Sequence, residues 1–149
     1  MLWVVRRLHA IVRDRWTRLP GWARWALAVY VIGFADGTID HVMWMTHGGI
    51  HAYAGFGYVP VQVFLVLLVL LDPFALVLCA LVRRAGVWLG VLIMALDIPA
   101  NWAGNWNAMP GFLVTFLLGE LFAVFVFATA VPMLGAIGTA DEVRSRLTR

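Results

Sequence analysis

The feature that most constrains this chain is a series of four apolar runs, each near the roughly 20 residues a helix needs to cross ~30 Å of hydrocarbon. They extend from about Trp22 to Met45, from Tyr58 to Val82, from Gly86 to about Trp106 and from Pro110 to about Met133. Inside lipid each backbone N–H and C=O must find its partner within the protein, which a helix achieves residue by residue. The chain has 149 residues, is 63% hydrophobic and only 13% charged, and so leaves no material for a separate soluble core. The expectation is an all-α polytopic membrane protein, a four-helix transmembrane bundle over residues 21–135.

An amphipathic helix precedes the bundle over residues 1–20. Leu2, Val5, Leu8, Val12 and Trp16 share one helical face, while Arg6, Arg7, Arg13 and Asp14 lie on others. Such a segment is expected to lie in the membrane surface until Pro20 and Gly21 break it. No small-residue cleavage site follows and acids lie within the first run, so that run reads as a retained span rather than a signal peptide. Residues 136–149 read as a tail, charged and solvated from Thr139 onward.

All eleven basic residues are Arg, a usage that reads as the codon bias of a high-GC bacterial genome. They occupy the N-terminal segment, the Arg83–Arg84 turn and the tail, while the two opposite loops carry none. Positive charge stays on the cytoplasmic side of a bacterial inner membrane, so both termini are expected there. A pI near 9.8 suggests nucleic acid, but Arg residues at helix ends meet anionic lipid headgroups first, and no nucleic-acid motif is present. The lone cysteine, Cys79, excludes a disulfide framework, a thiolate metal site and dithiol redox chemistry.

Against this background the acids inside the runs stand out: Asp36, Asp40, Asp72, Asp97 and Glu120. Each costs about 2.5 to 3.5 kcal/mol even on a lenient insertion scale, which makes function the default explanation. At 1.5 Å per residue, Asp36 and Asp97 both come out roughly 17 Å from the cytoplasmic ends of their helices. Asp40 and Asn101 follow one turn further out, each four residues beyond its neighbour on the same face. Glu120 and Gln62, about 15 Å and 6 Å from the outer ends of their helices, complete a polar lining contributed by all four spans. Asp72 stands apart, nearer the cytoplasmic end. Interhelical hydrogen bonding is the competing explanation, yet packing can use Ser or Thr without an ionisable group.

Asp36 beside Asp97 would place two like charges in low dielectric, so one should keep its proton and serve as a donor. Glu120 would be a second acid, with Asp40 and Asn101 as positioning groups. Phe34, Trp44, Trp102 and Trp106 are candidate cavity walls whose aromatic faces can stabilise a transient cation, against the plainer reading of core or interface belt. Pro73 and Pro99 are expected to interrupt their helices and free a carbonyl each. Gly33 and Gly37 form a small-xxx-small pair suited to close helix approach. His41, His47 and His51 cluster near the outer end, but the Gly48–Gly49 pair separates them, so no metal and no other cofactor is expected.

The stretch Gly33-Phe34-Ala35-Asp36-Gly37-Thr38-Ile39-Asp40 resembles the first core helix of the emopamil-binding protein family, also called EXPERA, where a His and a Glu four residues apart follow a Gly-Phe pair. The segment from Leu96 to Trp102 is similar to the family segment that carries a Gln and an Asp four apart, and Glu120 falls near a polar Asn of its last helix. Asp36 stands where the family has His, and Gln62 where it has a Glu. The resemblance covers roughly residues 29–131. It implies a four-helix membrane domain of the kind that isomerises sterol double bonds through a carbocation in an intramembrane pocket.

The leading expectation is a membrane-embedded acid/base enzyme that acts on a hydrophobic, isoprenoid-like lipid as an isomerase or cyclase. A proton-coupled transporter or lipid-binding module, of a kind that a homodimer could form, is the alternative from another class, and an accessory subunit of a larger membrane complex is a third.

Overall fold

The computed structural model of the chain describes residues 2–105 and 113–147. Trp106 and the start of the fourth run at Pro110 lie outside the described residues. The elements are α1 (Leu2–Arg18), α2 (Gly21–Gly48), a single 3-10 turn (Gly49–His51), α3 (Val59–Ala80), α4 (Arg84–Asn105) and α5 (Leu113–Leu147), with no strand among the described residues. Helices α2 to α5 are each long and apolar enough to cross a membrane. The protein is an all-α membrane protein, a four-helix bundle in which α2 packs on α3, α3 on α4, α4 on α5, and α5 returns to α2.

Each spanning helix is apolar on every side, because lipid accepts the same residues as the bundle interior. What turns inward on α2 is a stripe at helical spacing, Ala23, Ala26, Leu27, Tyr30 and Phe34, while Trp25, Ile32 and Ile39 face outward. On α3 the inward stripe is Leu65, Leu68, Asp72, Ala75 and Cys79. A carboxyl thus occupies the middle of an otherwise apolar stripe, and Asp72 is the one buried charged residue among those described.

The α3–α4 connection is tight. Val82 closes α3 at φ 54°, a left-handed conformation that costs a β-branched residue on the order of 1–3 kcal/mol. The hydrogen bonds of Val82 N–H to Cys79 O (2.8 Å) and Arg83 N–H to Leu78 O (2.9 Å) hold it there, with the valine side chain buried. Two further carbonyls at this helix end, which have no partner within the helix, are met from α1. The Trp16 indole donates to Ala80 O at 2.8 Å and Arg15 Nη1 to Leu81 O at 3.1 Å.

Three local expectations differ from what forms. Pro73 and Pro99 sit inside continuous helices, because neighbouring helices and local adjustment compensate for a missing N–H donor in a membrane span. Helix α2 continues three residues past Met45, with Thr46 Oγ1 and the His47 ring on Met43 O, until Gly49 adopts φ 57° and ends it. Helix α5 runs without a break past buried Ile137 to Leu147, so the last span and most of the tail are one helix.

The segment between α2 and α3 folds back over the bundle instead of extending from it. Tyr53 is only 6% exposed. Its ring stacks on Trp44 and meets Phe56 edge-on, and Phe56 lies where a Cβ on Gly104 of α4 would be.

Candidate functional site

The register between α2 and α4 decides which polar groups meet. Tyr30 and Phe34 both reach Gly90, where a Cβ would stand 2.9 Å from the Phe34 ring and 3.6 Å from that of Tyr30. Seven residues on from Phe34 and from Gly90 come His41 and Asp97, so these two share a level and Asp36 falls short of it by ~7 Å. Counting depth from the helix ends put Asp36 opposite Asp97 because α2 begins further toward the arginine-bearing end than α4 does. The charges that act on Asp97 are those of Asp40 and Glu120, while exposed Asp36 acts on Asp40.

Asp97 is fixed by its own helix. Asn101, four residues on, donates to Asp97 Oδ1 at 2.8 Å and to Asp97 O at 3.1 Å. One carboxylate oxygen is thereby held by the amide. Helix α5 contributes Glu120, which accepts from the Trp102 indole N–H of α4. That indole also packs edge-on against Phe116, ring centroids 5.5 Å apart.

Asp72, set apart by its depth, is brought into the site by the rotation of α3. It faces Gly37, and its Oδ2 lies 3.6 Å from His41 Nε2. Both side chains are enclosed, at 4% and 12% exposure. On the other side of the same ring, His41 Nδ1 and the Tyr53 hydroxyl are 2.7 Å apart. With the ring proton on Nε2, which faces Asp72, Nδ1 accepts from the phenol. Burial, followed by the charges of Asp40, Asp97 and Asp72, holds the Tyr53 phenol well above its ordinary value, so it stays a proton donor.

The remaining candidates separate into those at the site and those that build it. Phe34 is a core residue, 1% exposed, with edge-on contacts to Tyr30 and Phe122. The Gln62 side chain donates to Phe56 O and so anchors the folded-back loop. Trp44 holds Tyr53 in place, and Trp102 borders the carboxyl cluster. His41, His47 and His51 do not converge: His41 turns inward, His47 bonds to Met43 O, and His51 ends the 3-10 turn. Among the described residues no three His, Cys, Asp or Glu side chains gather as a metal site would require.

Comparison with known protein families, with curated proteins and with solved structures finds no match.

Access to the site follows from how α5 meets α2. The Tyr30 hydroxyl donates to Val126 O at 2.8 Å and sits 3.2 Å from Thr129 Oγ1. Phe122 packs on Tyr30 and Phe34 and fills the space beside Gly33. All these contacts lie on the arginine-bearing side of Gly37. Further out, among the described residues, Asp36, Asp40, Leu117, Leu118 and Gly119 are exposed. Among the described residues these positions of α2 and α5 are exposed on the outer half of the bundle, beside the carboxyl cluster.

Sequence reasoning missed the burial of Tyr53 against His41 and the pairing of Asp72 with His41. The signal for the second was the pair Gly37 and His41 on one face of α2, room followed one turn later by a base. For Tyr53 no signal existed.

Proposed function

We propose that the protein is an acid/base enzyme of the bacterial inner membrane, with both termini cytoplasmic, that isomerises or cyclises an isoprenoid-like lipid through a protonated intermediate. The observation that supports it best is Asp97, held by Asn101 and acted on by Asp40 and Glu120, with exposed positions of α2 and α5 alongside. An apolar substrate reaches such a group from the membrane without crossing water. A carboxylic acid adds its proton to one carbon of a double bond, a cation forms at the other, and a neighbouring carboxylate removes a proton from the adjacent carbon. The proton count balances and no redox partner is needed. Trp102, fixed by Glu120 and Phe116, offers an aromatic face to the transient charge. The likeness of the Gly33 to Asp40 stretch to the emopamil-binding protein family points to the same chemistry.

The test begins with mass spectrometry of lipids retained by the purified protein, followed by incubation of those lipids with fresh protein in deuterated water. Deuterium appearing on carbon with the wild type but not with Asp97→Asn or Glu120→Gln, at equal thermal stability, is the expected result. An amide keeps hydrogen bonding but cannot act as a general acid or base near neutral pH, so equal incorporation in both variants would overturn the reading. Asp36→Asn is expected to be the mildest of the acid substitutions.

A further inference from the structure

An enzyme that donates a proton at one carboxyl and collects one at another ends each turnover with both in the wrong state. The proton must travel back. The bundle contains a set of groups suited to this that the acid/base reading does not use: a phenol from the loop, an imidazole from α2 and a carboxyl from α3, one behind the other. Each is enclosed, and each is ionisable where a serine or a backbone carbonyl would satisfy packing.

We propose that Tyr53, His41 and Asp72 form a proton relay between the loop end of the bundle and its interior carboxyls. The proposal rests on the acid/base reading above and names how that site is reset. The groups facing His41 are Tyr53 from the loop and Asp72 from α3. Asp40 of α2 and Asp97 of α4 act on Tyr53, and Asp97 also acts on Asp72.

The transfer is balanced step by step. The Tyr53 O–H gives its proton to His41 Nδ1, and the Nε2–H gives its own to an oxygen of Asp72. The phenolate regains a proton at the loop end, and exchange with water, which protonates Nε2 and takes the proton from Nδ1, restores the first tautomer. At 2.7 Å the first transfer is already hydrogen-bonded. The second spans 3.6 Å, too long for a hydrogen bond and closed by a small rotation of the ring or by one bridging water. Asp72 feels the charge of Asp97, so a proton arriving on Asp72 changes the electrostatics of the candidate catalytic cluster.

The test uses the full chain in lipid nanodiscs without substrate, and the probe is a rapid drop in pH. The protonated-carboxyl stretch of Asp72 is identified in the infrared as the band that Asp72→Asn removes. In Tyr53→Phe, which keeps the ring between Trp44 and Phe56, the band is expected to reach its full amplitude about tenfold more slowly than in the wild type. His41→Gln is expected to slow it similarly, and if that variant does not fold, Tyr53→Phe decides alone. Equal rates in wild type and Tyr53→Phe, or no pH-dependent band from Asp72, would overturn the relay. Deuterium incorporation lost in Asp97→Asn together with unchanged relay rates would reject the relay and leave the acid/base reading standing. The opposite pattern would reject that reading alone.

Discussion

A Cβ on Gly37 would stand 2.8 Å from Oδ2 of Asp72, so the carboxyl occupies space that only a glycine leaves on α2. The same helix repeats the device one turn earlier, where Gly33 makes room for the ring of Phe122. One small residue admits a polar group from α3 and the other an aromatic group from α5. Two neighbours with different functions are seated by one short motif.

Alanine at these positions separates the two uses. Gly33→Ala sets a methyl group against an aromatic ring wedged among Tyr30 and Phe34 and should cost about 1–3 kcal/mol. Gly37→Ala meets the end of a short side chain that can swing aside, so its thermal unfolding in detergent should lie closer to wild type. Its effect should appear instead in slower protonation of Asp72. A larger stability loss for Gly37→Ala than for Gly33→Ala would contradict this assignment.

The arginines gathered at one end of the chain's spans make orientation a testable expectation. Reporter fusions at Gly49 and at Arg149 should report opposite sides of the membrane, with Arg149 cytoplasmic. The same side for both would be incompatible with four crossings.

The Tyr53 phenol supplies a pH test. Its folded-state value is raised above the ordinary ~10 of a free tyrosine, so between the two values the unfolded chain loses a proton that the folded chain keeps. Stability should therefore fall as pH rises through ~10, and Tyr53→Phe should flatten that decline. Phenolate absorbance of wild type and Tyr53→Phe, followed to about pH 11, should superimpose. A phenolate signal lost in the variant would show Tyr53 ionising normally.

The four spans were legible because 20-residue apolar runs have few alternatives, and the Asp97–Asn101 pair because an i,i+4 spacing on one helix fixes its own geometry. The partner of Asp72 was not, since α2 and α3 are apolar on every side and periodicity cannot say which residue of one faces the other. Depth counted from helix ends misjudged Asp36 for a related reason, because a helix end in sequence is not a level in the membrane. Tyr53 lies in a glycine-rich loop with no period at all. Only the fold, through Phe56 against Gly104 and Gln62 on Phe56 O, carries its ring into the bundle.

The contacts of Trp16 and Arg15 with Ala80 and Leu81 do more than satisfy two carbonyls. They couple a helix suited to the bilayer surface to the end of a stiff rod that carries Asp72 about 12 Å further along. The cap of α3 and the seat of α1 are therefore one structure, and neither can shift without breaking the two hydrogen bonds between them.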